Sequence, residues 1–347
     1  MPTALIAGGL GVTGRALVEY LDNEPDWNVI ALSRRTPDFP TKARFVSVDL
    51  SDAADTKAKL GGLAGVTHVF YCALAAHADV TAEIAPNIAM IENLLDAVEP
   101  VADLQHVQLM EGNKWYGSFL GKFRTPAKET DPRPIVRQLY HAQQDWLEAR
   151  RSGKAWSWSA LRPHGVWGLS IGGAMNLLTS VALYATISKH LGRPLCWPGS
   201  QGFYDRLYNI IDVELLARAM LWCATTPAAA DNAFNINNGD FFRWHQVWPR
   251  IAGFFDMEVG PVRTISQAAL MADKEPLWAG IVAQHGLKPY RIAELTNFAY
   301  ADRAMSPGYD QMASMTKIRQ HGWTEAWDTE ETITRQLERL RRDRIIP

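Results

Sequence analysis

The sequence predicts an α/β fold, a doubly wound parallel sheet with helices on both faces, joined to a smaller, mostly helical C-terminal portion. Apolar strand-like runs alternate with amphipathic segments through the first half of the chain, the pattern of a sheet built from strand–helix–strand units. A glycine-rich turn, Gly8-x-x-Gly11-x-x-Gly14, falls between the first strand and the first helix. After about residue 168 the rhythm changes to long helical and aromatic-rich stretches.

TALIAG is the first strand and RALVEYLDNEP the helix after it. VIALSRR, ARFVSVDL and THVFYCA supply the next three strands, and IAPNIAMIENLLDAVEP is a long helix with apolar residues at helical spacing. LQHVQLMEG is the fifth strand, QLYHAQQDWL lies on a helix, and WSWSALRPHGVWG is the sixth strand. That order is the Rossmann type of dinucleotide-binding domain, here residues 1–168, completed by a return of the chain at about 207–225 in YNIIDVELLARAMLWCA. Residues 169–347 form the substrate-binding portion. They run through the helical MNLLTSVALYATISKHLG and the Pro/Gly-bounded RPLCWPGSQGFYD to LERLRRDRIIP, a charged helix with a short tail.

Bulk properties narrow the function. With 35 basic and 37 acidic side chains the formal charge is -2, which gives no electrostatic case for nucleic acid or an anionic membrane as partner. A small molecule is expected instead. Cys72, Cys196 and Cys223 show no metal-ligand or Cys-x-x-Cys spacing and read as reduced thiols of a cytoplasmic protein. The opening MPTALIAGG enters a strand at once, without the layout of a signal peptide. The most apolar later stretch, MNLLTSVALYATI, falls short of the roughly 18 residues that a membrane helix needs.

In the glycine turn, Gly8, Gly11 and Gly14 let the backbone approach a pyrophosphate, and Val12 and Thr13 open the helix whose N-terminus would hold it. The second strand ends in Ser33-Arg34-Arg35. An NAD site would place a carboxylate there for the ribose 2′-hydroxyl, whereas guanidinium groups suit a 2′-phosphate; the expected cofactor is NADP(H). Asp49, followed by Leu50 at the end of the third strand, is a candidate for the adenine amino group.

Tyr140 sits where a short-chain dehydrogenase would keep its Tyr-x-x-x-Lys pair, but the residue four later is Gln144. Reduction of a polarised double bond needs a donor where negative charge develops, and a nearby ammonium strengthens a tyrosine in that role. Lys114, just after the fifth strand and so at the carboxyl edge of the sheet, is the candidate for that ammonium.

The chain resembles the progesterone 5β-reductase/iridoid synthase-like enone reductases, an atypical branch of the extended short-chain dehydrogenases. The resemblance rests on GLGVTG, ALSRR, THVFYCALA, NLLDAV, EGNKWYG, QLYHAQQDWL, WSALRPHGVWG, MNLLTSVALYATISKHLGRPL, FNINNGDFFRW, KEPLW and the closing IIP. It implies NADPH-dependent 1,4-reduction of an enone, hydride passing to the β-carbon, Tyr140 stabilising the enolate oxygen, and a proton from solvent or water reaching the α-carbon. Lys114 would tune Tyr140 and help hold the cofactor ribose. Pro163 and Val166, in RPHGVWG, would line the nicotinamide. A homodimer is the family expectation. Leu139 stands where the plant members have an aromatic residue, which bears on the shape of the pocket more than on the chemistry.

Trp115 and Tyr204 are candidate substrate contacts, with Met175, Phe298 and Tyr300 behind them; the chain holds thirteen tryptophans, so core packing explains each as well. His141 and His164 flank the site in sequence but are not assigned to catalysis. An NADP-dependent epimerase, dehydratase or carbonyl reductase of the same fold is a rival reading, and so is a non-catalytic NADP(H) sensor. The first group usually retains Tyr-x-x-x-Lys; a sensor has no reason to keep Lys114 with Tyr140.

Overall fold

A computed structural model describes residues 1–173 and 175–347. The chain divides into two compact units: Met1–Pro163 with Glu214–Ile236 and Ser314–Thr324, and His164–Val213 with Asn237–Ala313 and Glu325–Pro347.

The first unit is built on a seven-stranded parallel sheet. In chain order it contains β1 (Thr3–Ala7), α1 (Val12–Leu21), β2 (Asn28–Leu32), β3 (Arg44–Val46), α2 (Ala53–Leu60), β4 (His68–Tyr71), α3 (Ile84–Val98), β5 (His106–Met110), α4 (Leu139–Arg151) and β6 (Ser157–Pro163). The sheet order is Asn232–Ile236, then β6, β5, β4, β1, β2, β3. Residues of β1 pair with Asn28–Leu32 on one side and His68–Tyr71 on the other. The strand order therefore reverses beside β1, and the glycine turn that follows it lies at the switch point where such sheets bind ligands. All five residues of β1 are buried, as expected of a strand covered on both faces. On α3 the buried residues Ile84, Asn87, Ile91, Leu94, Leu95 and Val98 recur at helical spacing and cover the sheet through Leu5, Val69 and Val107.

Three strand expectations change. The third strand, expected over ARFVSVDL, stops at Val46; the chain then turns so that the Asp52 carboxylate caps α2 by accepting from the Ala54 and Asp55 N–H groups. The run WSWSALRPHGVWG is not one strand. β6 ends at Pro163, and Gly165 takes φ +56°, where a Cβ would lie 2.9 Å from Ile210 Cγ2. Val166–Trp167 pairs separately with Ile211–Asp212 in the second unit. The seventh strand, Asn232–Ile236, went unrecognised because its asparagines lower strand propensity and blur the apolar pattern.

The second unit is mostly helical around Leu177–His190, of which Leu177 to Ser188 are all buried. Its core holds Trp167, Trp197, Trp244, Trp248 and Trp278, among the largest fully buried side chains. A buried aromatic removes roughly 150–250 Å² from water, so these rings dominate the packing. The final helix runs Thr329–Arg342. The closing segment, read from sequence as a short tail, instead buries Ile345 and Ile346 in this core.

Candidate active site

The glycine turn closes on itself. The Gly11 N–H donates to Gly8 O at 2.9 Å, and a Cβ on Gly14 would sit 2.3 Å from that same oxygen. Gly8 has φ +80°, and a Cβ there would meet the Cys72 carbonyl and Ala73 nitrogen at 2.9 Å. Gly11 caps α1 without any side-chain hydrogen bond, so the first N–H groups of a ten-residue helix are left facing an anion position. These residues fit a dinucleotide pyrophosphate. Val12 begins α1, and the Thr13 side chain is hydrogen-bonded to the Cys72 thiol.

Arg34 and Arg35 are exposed beyond β2, with the Arg35 N–H donating to Ser33 Oγ at 3.1 Å. Arg15, buried on α1, anchors the loop that carries them. Its Nε donates to Glu19 Oε1 at 2.9 Å, its Nη1 lies 3.3 Å from both Asp38 carboxylate oxygens, and its guanidinium sits 4.3 Å over the Phe39 ring. Asp49 lies in the turn past β3 and accepts from Ser51 Oγ at 2.7 Å and Ser51 N at 3.0 Å. The Ser51 hydrogen bonds hold its carboxyl below the usual range, with Arg34 adding to that pull. Leu50 is buried, its carbonyl accepting from Asn93 Nδ2 at 2.8 Å.

Lys114 and Tyr140 come from separate elements, the turn after β5 and the helix α4. Lys114 lies in the 3-10 turn Asn113–Tyr116 that follows β5. Tyr140 is in the first turn of α4, where Gln138 caps the helix by accepting from the Tyr140 N–H at 3.1 Å. A Cβ built on Gly112 would lie 3.6 Å from the Tyr140 hydroxyl, so the tyrosine oxygen rests against the backbone that leads into Lys114. The His141 ring, 4.4 Å from Trp115 edge to face, donates from Nε2 to the Trp115 carbonyl at 2.9 Å. Both amide atoms of Asn113 are buried with no hydrogen-bond partner among the described residues, a condition that a bound ligand can relieve.

Beneath this pair lies a charged cluster that sequence reasoning missed. Arg162, the penultimate residue of β6, is 2% exposed. Its Nε donates to Glu111 Oε2 at 2.7 Å, Nη2 to Gln144 Oε1 at 2.9 Å and Nη1 to Tyr116 Oη at 3.3 Å. Its guanidinium carbon is 3.5 Å from the centroid of the Trp115 ring. Tyr116 Oη donates onward to Asn235 Oδ1 at 2.6 Å. Burial pushes the Glu111 carboxyl up while Arg162 pulls it back, and burial likewise raises the Tyr116 phenol. The signal was present in EGNKWYG and LRPHG: the first places Glu111 directly after β5 and the second places Arg162 within the end of β6, its neighbour in the sheet.

The remaining sequence candidates separate. The Pro163 carbonyl is 3.5 Å from the Gly112 Cβ position. Trp115 is buried, with Arg162 and, at 4.9 Å, Arg133 over its ring. In the second unit, Val166 pairs with Ile211 and Tyr204 packs 5.0 Å from Trp197. His164 is buried there, its Nδ1 2.6 Å from Asn209 Oδ1, and burial pulls its pKa down to about 4. Phe298 is buried and Met175 exposed. Among the described residues no cluster of three His, Cys, Asp or Glu could hold a metal, and no helix is long and apolar enough to cross a membrane.

Residues 4–347 match the family model described as a PRISE-like Rossmann-fold domain. The chain belongs to the PRISE-like family. Among its relatives, the (S)-8-oxocitronellyl enol synthase of Catharanthus roseus is 32% identical, over 99% of this chain and 92% of its own length. The 3-oxo-Delta(4,5)-steroid 5-beta-reductase of Arabidopsis thaliana is 30% identical, over 99% and 93%. Among solved structures, the UDP-glucose 4-epimerase of Thermus thermophilus in complex with NAD matches with a TM-score of 0.67 at 19% identity, covering 98% of this chain and 99% of the epimerase. That likeness shows a shared fold, whereas membership of the PRISE-like family rests on the family match and the two enzymes above.

Proposed function

We propose that this protein reduces the activated C=C of α,β-unsaturated carbonyl compounds with NADPH. The observation that carries the reading is the approach of the Tyr140 hydroxyl to Gly112, two residues before Lys114, at the carboxyl edge of β5. Two family relatives support it, one of them named as a reductase of a 3-oxo-Delta(4,5)-steroid, an enone. Gly8, Gly11, Val12, Thr13 and Gly14 would hold the pyrophosphate, and Ser33, Arg34 and Arg35 the 2′-phosphate. Asp49 and Leu50 would border the adenine, and Pro163 and Val166 the nicotinamide. When bound, the reduced nicotinamide supplies the hydride for the substrate β-carbon. Tyr140 donates to the carbonyl oxygen and stabilises the enolate charge that develops there. Lys114 favours that charge state by proximity and holds the ribose. Water protonates the α-carbon. Trp115 and Tyr204 are assigned to the substrate side, and the three free thiols suit a cytoplasmic protein.

The test follows NADPH absorbance with 2-cyclohexen-1-one, with product analysis. Expected is saturated ketone from the parent, with kcat lowered by roughly 100-fold or more in Tyr140→Phe and Lys114→Ala. An allylic alcohol product would make it a carbonyl reductase. NADPH binding without turnover of any enone would make it a sensor.

A further inference from the structure

We propose that Arg162 is a positioning residue for the Lys114–Tyr140 pair, binding together the two chain segments that carry them. One segment is Glu111-Gly112-Asn113-Lys114, held through the Glu111 carboxylate at 2.7 Å and, past Lys114, through the Tyr116 hydroxyl and the Trp115 ring. The other is the first turn of α4, held through Gln144, which is one helical turn beyond Tyr140 and accepts from Arg162 Nη2 at 2.9 Å. A guanidinium suits this task because its planar fork donates in several fixed directions at once, which an ammonium cannot. The same geometry accounts for Gln144. A lysine in that place would put a second cation against a buried guanidinium, whereas a glutamine supplies an acceptor to Arg162 and a donor to Glu148 at 2.7 Å. The place of the usual lysine is thus held by Gln144, whose amide oxygen serves the buried Arg162. Arg133 and Glu148 are the other charged groups that act on Glu111.

The inference rests on the enone-reductase reading and is tested with the full chain. Arg162→Lys keeps the cation but loses the fork. Gln144→Met keeps the volume, removes the acceptor and leaves the Glu111 ion pair in place. For each, kcat, the KM for NADPH and the melting temperature are compared with the parent on 2-cyclohexen-1-one. Expected is a kcat lowered roughly 10- to 100-fold, as for misplacement of reacting groups by about 1 Å. The NADPH KM stays within about threefold and the melting temperature near the parent's, so the loss falls on kcat. An unchanged kcat, or a kcat that falls only in step with the melting temperature or with a rise in the NADPH KM, would overturn the inference and leave Arg162 a packing residue. Absence of turnover in the parent would instead sink the enone reading itself.

Discussion

The two ends of β5 bury titratable side chains and resolve the cost in opposite ways. At its first residue, His106 lies between Ser157 Oγ and Ser159 Oγ, each at 2.8 Å, with the ring of His68 6.4 Å away. Among the described residues no carboxylate acts on either ring, and burial pulls the pKa of His68 down to about 4 and of His106 to about 3. Just past the last residue, Glu111 is equally buried but faces the Arg162 guanidinium. The amino end thus stays neutral and serves as scaffold, while the carboxyl end keeps an ion pair beside the turn that carries Lys114. A buried charge is tolerated only when a partner and hydrogen bonds replace water.

The contrast breaks most visibly if one partner is removed. Glu111→Ala strands Arg162 in the interior and is expected to cost about 3–5 kcal/mol of stability, read by urea denaturation. The double variant Glu111→Leu/Arg162→Met, with no charge left to strand, should recover most of that loss without recovering turnover. A cost under about 1 kcal/mol for the single variant would mean that water reaches the pair.

The amino end gives a pH signature instead. An unfolded histidine titrates near 6.5, above the folded values of about 4 and about 3. The unfolded chain therefore takes up protons that the folded chain refuses, so this contribution is intact above pH 6.5 and lost as pH falls from there toward 4. Each histidine accounts for a loss of about 3 kcal/mol at most by pH 4. His106→Gln, which can still bond to both serines, should flatten that part of the stability curve. A curve as steep as the parent's would place the acid sensitivity elsewhere.

What the sequence disclosed follows the range of the interactions involved. The glycine turn and Ser33-Arg34-Arg35 are local, and their spacing from β1 and β2 was enough to place them at the carboxyl edge. Lys114 and Tyr140 lie on different elements, and joining them needed the family resemblance as well as the strand order. The Arg162 cluster was harder to read for a further reason: its members come from the residues just after β5, from α4 and from the edge strand Asn232–Ile236, and that strand was itself unread. Asn235, opposite Arg162 in the sheet register, lowers strand propensity locally yet completes the polar cluster.

The smallest expected effect concerns the 2′-phosphate loop, where two influences of Asp38 oppose each other. Its carboxylate, pinned by the buried Arg15, helps fix the loop bearing Arg34 and Arg35; its charge also lies on a segment meant to receive a phosphate. Because Arg15, shared with Glu19, offsets part of that charge at 3.3 Å, the anchoring should prevail. Asp38→Ala is expected to lower kcat/KM for NADPH about two- to fivefold, the scale of a partly exposed ion pair. The value for NADH should hold, since only the phosphorylated cofactor engages the two arginines. The ratio of the two specificity constants, on one enone, decides the matter. An equal fall for both cofactors would make Arg15–Asp38 a general support of α1, and a rise for NADPH would mean that the carboxylate repels the phosphate despite its partner.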